Sequence, residues 1–242
     1  MSYFRKKQNE DKVFRGSYVY TRNDNVYCEE NFDLYKDKKD YSLTFQSQII
    51  SRVSTGELLN VSIDYTVNKD YIPQKVIIDR SLGEDHVQEL FIFDSRSTRI
   101  NYSLITKTGE EKVTLNTAPK FHIATPSISC SMLFLRSKKF DNTGKNFYSI
   151  LGSKNFWKFD EEPSFKNIML QRTNTTTETI NIDGKSVTAT QYKLEEQSDN
   201  LLDVAPSVRI WLSQHYTIPY LIKTPDGTKI QIKYLNNLDK ET

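Results

Sequence analysis

The densest group of chemically capable side chains lies in Gly-Glu-Asp-His-Val-Gln-Glu, residues 83–89. It places Glu84, Asp85, His86 and Glu89 within one short stretch. Carboxylates beside an imidazole suit a metal ion or proton transfer. A zinc centre, however, needs at least three convergent ligands and favours Cys and His. In a strand, Asp85 and His86 point to opposite faces, so the stretch reads as a solvated hairpin end. The other two histidines are isolated. His122 follows Phe121 ahead of an apolar segment, and His215 precedes Tyr216 at an expected turn. An enzyme built from His86, His122 or His215 would have to assemble its site entirely in three dimensions.

The two cysteines, Cys28 and Cys130, have no histidine near them in sequence, whereas a nucleophilic thiol needs a neighbouring base. They are either separate inert thiols or one bridge joining the two halves. The chain has no G-x-S-x-G elbow, phosphate-binding loop, G-x-G-x-x-G or H-E-x-x-H. No catalytic residue, metal or cofactor is therefore assigned.

These residues must be positioned by strands. The chain has 242 residues, 37% hydrophobic and 12% aromatic, with 14 Tyr and 13 Phe. That composition supports a buried core and favours pleated, half-buried surfaces. Apolar residues alternate in LLNVSIDYTV, HVQELFIFD and VRIWL, and the segments between them carry turn residues. Asn23-Asp24-Asn25 reads as a turn between strands, and Asp183-Gly184 and Asp226-Gly227 mark hairpins, since that turn needs positive φ. The pattern predicts one mostly β domain: a highly curved antiparallel sheet or incomplete barrel of about 12–16 strands. Residues 201–205 read as a short turn or helix on its rim.

One segment departs from alternation. In TPSISCSMLFLRSKKF, Thr125 can cap and Pro126 can open a helix, with Ile128, Met132 and Leu135 on one face. The spacing predicts the main helix over residues 126–137. The expected domain spans 13–236, with frayed ends at 1–12 and 237–242. Val61-Ser-Ile63 followed by Ile72-Pro73 is echoed by Val208-Arg-Ile210 followed by Ile218-Pro219, roughly half the chain later. The echo suggests two similar halves, 13–124 and 125–236. Proline cannot donate to a sheet ladder, so Pro73 and Pro219 should open strands or sit at an edge.

Charge narrows the partners. With 33 basic and 31 acidic residues the net charge is +2, which offers no broad basic surface for nucleic acid. Arg5, Lys6 and Lys7 form either a solvated terminus or a weak contact with acidic lipid heads. No run of 18 apolar residues predicts a membrane-spanning helix, and the first residues show no signal peptide. The chain as written reads as cytoplasmic; one that began after a removed signal would look the same and be periplasmic.

The stretches TPSISCSMLFLRSKKFDNTGKNFYSIL, ETINIDGKSVTATQYKL and VRIWLSQHYTIPYLIKTPDGTKIQIKYL together resemble a group of uncharacterised bacterial β-sheet proteins. That group is related to the periplasmic lipoprotein carriers of the Lol type. The resemblance covers roughly residues 125–235. Its proteins usually carry a signal peptide, unlike this chain, and offer no catalytic motif to transfer. It implies a curved, incomplete barrel whose concave apolar face holds a lipid or other apolar molecule. The expected function is therefore non-enzymatic binding or carriage of an apolar ligand, with Ile63, Tyr65, Met132, Phe134, Trp157 and Trp211 as lining candidates. A structural or adaptor protein with a filled core is the other non-enzymatic alternative.

Overall fold

The computed structural model describes residues 9–174, 176–182, 184–196, 206–212 and 217–238. His215, the basic cluster at residues 5–7 and the rim segment 201–205 lie outside them. Among the described residues the strands are β1 (Glu10–Arg22), β2 (Asn25–Asp37), β3 (Leu43–Arg52), β4 (Leu58–Val67), β5 (Pro73–Leu82), β6 (Asp85–Asp94), β7 (Arg99–Thr106), β8 (Gly109–Asn116), β9 (His122–Ile123), β10 (Lys145–Gly152), β11 (Ser164–Arg172), β12 (Glu178–Ile182), β13 (Lys185–Glu196), β14 (Val208–Leu212), β15 (Pro219–Lys223) and β16 (Lys229–Asn237).

They form one large curved sheet that does not close into a barrel. The order is β8-β7-β6-β5-β4-β3-β2-β1-β16-β15-β14-β13-β11-β10-β9, with β12 paired to β13 alone. Neighbours are antiparallel except β9, which runs parallel to β10 and lies against β5. The first and last strands of the described residues, β1 and β16, pair in the middle of the sheet. β1 carries register shifts at Lys12/Phe14, Ser17/Tyr18 and Tyr20/Thr21. Such bulges bend a strand and increase its twist, which lets this long central strand follow the curve.

Alternation fills the concave face. Leu34, Phe45, Tyr65, Val76, Phe91 and Tyr102 are successive cross-strand partners from β2 to β7, and all are buried. The tight turns follow their residues: Asn23 and Asp24 both take positive φ, as do Gly184 and Gly227. Asp183 lies outside the described residues. Pro73 and Pro219 are the first residues of β5 and β15. Strand structure reaches Glu10 and Asn237, beyond the limits of 13 and 236 read from the sequence.

The helix expected over residues 126–137 is corrected. The segment is a run of turns ending in one short 3-10 helix, Leu133–Arg136. The buried Glu30 carboxylate takes the Ser127 hydroxyl and the backbone N–H groups of Ile128 and Ser129, which holds this stretch as a turn around the side chain of a distant strand. Ser131 and Ser137 direct their hydroxyls to the carbonyls of Ile128 and Phe134, a local competition that disfavours regular helix. The segment still does what a helix was expected to do. Cys130, Met132, Leu133 and Phe134 are at most 3% exposed and join the main core.

Candidate functional site

Two polar centres lie inside the concavity. The first is Glu30 on β2, which is fully buried. Its carboxylate accepts hydrogen bonds from Tyr20 Oη (2.7 Å), Ser127 Oγ (2.5 Å), Ser47 Oγ (3.0 Å) and the backbone N–H groups of Ile128 (2.9 Å) and Ser129 (3.3 Å). Nearby, Tyr65 Oη accepts the N–H of Ile123 at 3.1 Å and lies 2.9 Å from His122 Nδ1. The direction of the Tyr65–His122 hydrogen bond follows the imidazole tautomer. Burial drives the His122 pKa down to about 3, so the imidazole is neutral near pH 7. Both groups tie the segment 122–129 to the sheet.

The second centre joins Arg80 on β5 to Glu89 on β6 at 2.5 Å, both buried. Tyr102 Oη donates to Glu89 at 3.0 Å and accepts from Asn155 Nδ2 at 3.1 Å. Burial, reinforced by the Glu89 charge, pushes the Tyr102 phenol up to about 12. Asn155 also holds the carbonyl of Glu161 and the N–H groups of Asp160 and Glu161. This loop thus forms a cover over the ion pair, with Phe156 under the Arg80 guanidinium at 5.3 Å.

The histidines occupy unlike surroundings. His86 is exposed on the β5–β6 hairpin, 3.3 Å from Asp79, whereas His122 is enclosed by Tyr65 and Phe134. Of the acidic cluster beside His86, Glu89 turns inward to Arg80, while Asp85 stays exposed near Lys107. Among the described residues no three His, Cys, Asp or Glu side chains gather as a ligand set. Cys28 and Cys130 are separate, buried thiols. Burial lifts both to about 12, far from the thiolate form that reacts.

The apolar candidates divide into three groups. Ile63, Tyr65, Met132 and Phe134 are packed in the main core. Trp211 lies in a separate small cluster with Ala189 and Leu221, its indole N–H donating to Glu178 at 2.8 Å. Trp157 is on the loop after β10 and 38% exposed. The chain's own segment 121–137 occupies the middle of the concavity.

Open space lies outside that middle, in clefts of about 250 Å³ beside Gly16 and Phe32 and about 270 Å³ beside Val187 and Leu235, and at one end of the sheet, where β2 and β4 finish and β3 and β5 begin. A cleft of about 300 Å³ is walled there by Phe14, Leu34, Leu43, Phe45, Tyr71 and Ile218, among others. Tyr41, Lys36, Lys69 and Arg136 complete its mouth. None of the six lining candidates belongs to this wall.

The two tyrosines of the wall are conformationally unusual. Tyr41 has φ +60° and Tyr71 φ +61°, the left-handed region that bulky residues avoid. Compare the hairpin at Gly56: its N–H bonds to the Val53 carbonyl, and the Val53 N–H to the Glu57 carbonyl. Gly227 repeats the pattern with Thr224 and Thr228, and Tyr71 repeats it with Asn68 and Ile72. Tyrosine thus stands where glycine serves in two other hairpins. A repeated tripeptide, Lys39-Asp40-Tyr41 and Lys69-Asp70-Tyr71, is the sequence signal that marks both positions.

No family model matches the chain, and no curated protein matches it. Two solved structures share its fold. A beta-barrel-like protein of the domain of unknown function DUF1849 from Brucella abortus aligns with a TM-score of 0.60 at 8% identity, covering 94% of this chain and 98% of that one. A DUF1089 family protein from Pseudomonas aeruginosa aligns with a TM-score of 0.50 at 12% identity, covering 82% and 89%. In fold, this chain is therefore similar to uncharacterised bacterial β-barrel-like proteins.

Proposed function

We propose that this chain is a non-enzymatic binding protein for a lipid or other apolar molecule, in keeping with the resemblance of residues 125–235 to uncharacterised β-sheet proteins related to Lol-type carriers. The ligand enters the end cleft rather than the middle of the concave face, which the segment 121–137 already fills. The observation that carries this reading is the pair of left-handed tyrosines. A non-glycine residue in that conformation costs on the order of 1–3 kcal/mol and persists where the surroundings or a function demand it. Here two such residues wall one apolar opening. The volume of about 300 Å³ falls at the small end of the range for ligand pockets, roughly 300–1,000 Å³. It suits one aliphatic chain or a small ring system.

The test is uptake of the neutral dye Nile red, followed by fluorescence, with native mass spectrometry of the protein as purified. One saturable site is expected, weakened at least about tenfold in Leu43→Trp, whose indole fills the cleft. Absence of uptake, or uptake indifferent to that substitution, sinks the reading. The packed interior favours a second reading, a structural or adaptor protein, and failure to bind any apolar probe supports it.

A further inference from the structure

The rim of the same cleft carries charge of one sign. Lys36 comes from the end of β2, Lys69 from the β4–β5 turn and Arg136 from the end of the short 3-10 helix. No carboxylate is among the described residues that line the cleft. The chain as a whole is nearly balanced, with 33 basic and 31 acidic residues, so a one-sign rim is a local feature. In the β2–β3 turn Asp37 accepts the N–H of Lys39 at 2.7 Å, and Asp40 that of Ser42 at 2.9 Å. Lys36 lies 5.7 Å from the centre of the Tyr41 ring, and Arg136 lies 5.9 Å from that of Tyr71. The cations are thus placed against the same two tyrosines that wall the opening. Lys36 and Lys69 bring two like charges from different elements to one opening, and an anion bound between them offsets their repulsion.

We infer that the ligand is an anionic, single-chain amphiphile. Its aliphatic tail lies among Phe14, Leu34, Leu43, Phe45 and Ile218, and its carboxylate or phosphate sits at the mouth between Lys36 and Lys69. The inference rests on the binding reading given above and adds the charge and chain number of the ligand. The cleft volume admits one chain and not the pair of a diacyl lipid. A lysine or arginine reads such a head group through charge-assisted hydrogen bonds, which are shorter and stronger than neutral ones. Free fatty acid and single-chain phospholipid share this chemistry.

The experiment is displacement of Nile red at low ionic strength by four probes of equal chain length: dodecanoate, 1-lauroyl-lysophosphatidate, dodecanol and dodecylamine, each kept below its micellar concentration. At least one anion is expected to bind about tenfold or more tighter than dodecanol, with dodecylamine weakest; the tighter anion identifies the source. In the double variant Lys36→Gln/Lys69→Gln, with fold checked by circular dichroism, the ratio of anion to dodecanol affinity should fall to about one. Dodecanol binding as tightly as both anions overturns the inference and leaves the binding reading intact. A protein that takes up neither Nile red nor any of the four overturns both.

Discussion

The Ser127 hydroxyl lies 2.5 Å from a carboxylate oxygen of Glu30, a residue 97 positions earlier in the chain. That bond, with four other donors on the same carboxylate, fixes the chain's internal plug to the sheet. Removing the acceptor leaves buried donors unsatisfied, each at about 1–3 kcal/mol. Glu30→Ala should therefore lose about 3 kcal/mol or more in urea unfolding, and Glu30→Gln, which keeps one acceptor oxygen, should lose less. A Glu30→Ala protein within about 1 kcal/mol of the parent means that the plug does not depend on this anchor.

His122 makes stability depend on pH. Its pKa is lowered by burial to about 3 in the folded protein, from the ordinary value of 6.5. Between those values the unfolded chain binds a proton that the folded one does not. The contribution is complete above pH 6.5 and is lost as pH falls towards 3, at up to about 1.4 kcal/mol per pH unit. The difference between parent and His122→Gln isolates it from the carboxylates. Their unfolding free energies should converge as pH drops from 6.5 to 4.5, and parallel curves would show that the ring is not held neutral.

Gly16 on β1 faces Phe32 directly across the β1–β2 pair. A Cβ at this position would come within 2.4 Å of the Phe32 ring and 3.0 Å of the Tyr234 carbonyl oxygen. Phe32 is buried and stacked on Tyr18 with centroids 5.6 Å apart, so the ring must shift from that stack to admit the methyl group. Gly16→Ala should cost about 1–3 kcal/mol through overpacking, read as a lower urea midpoint at unchanged slope. An unchanged midpoint would mean that β1 yields at its nearby bulge.

The fold was legible where local chemistry and the sheet agree. Alternation marks the strands, Asn23-Asp24 and Gly227 supply the positive φ their turns require, and proline opens β5 and β15. The echo around those prolines has a structural counterpart: each pairs with the opposing strand across a register shift, at Thr66/Val67 and at Trp211/Leu212. The helix misreading has a specific cause. Periodicity weighed Ile128, Met132 and Leu135, whereas Ser127 and Ser129 answer to Glu30, far away in sequence. The cleft was hidden for the same reason, because its wall is drawn from β1, β2, β3, two turns and the approach to β15. Large aromatic residues drew attention instead to Trp157 and Trp211, one exposed on a loop and the other packed beside β12.

Tyr41 offers the sharpest separation of stability from function. It is 58% exposed and held at φ +60°, so it contributes little burial while adopting a conformation that glycine takes without steric cost. Releasing that strain offsets the extra chain entropy glycine brings to the unfolded state, about 0.5–1 kcal/mol. Tyr41→Gly should therefore unfold at the same urea concentration as the parent or up to about 1 kcal/mol later. The same substitution removes an aromatic wall of the cleft and the ring that lies against Lys36. Nile red affinity should fall about fivefold, corresponding to about 1 kcal/mol of lost contact. A variant that is both clearly less stable and undiminished in dye binding would show that Tyr41 is kept for its turn and not for the cleft.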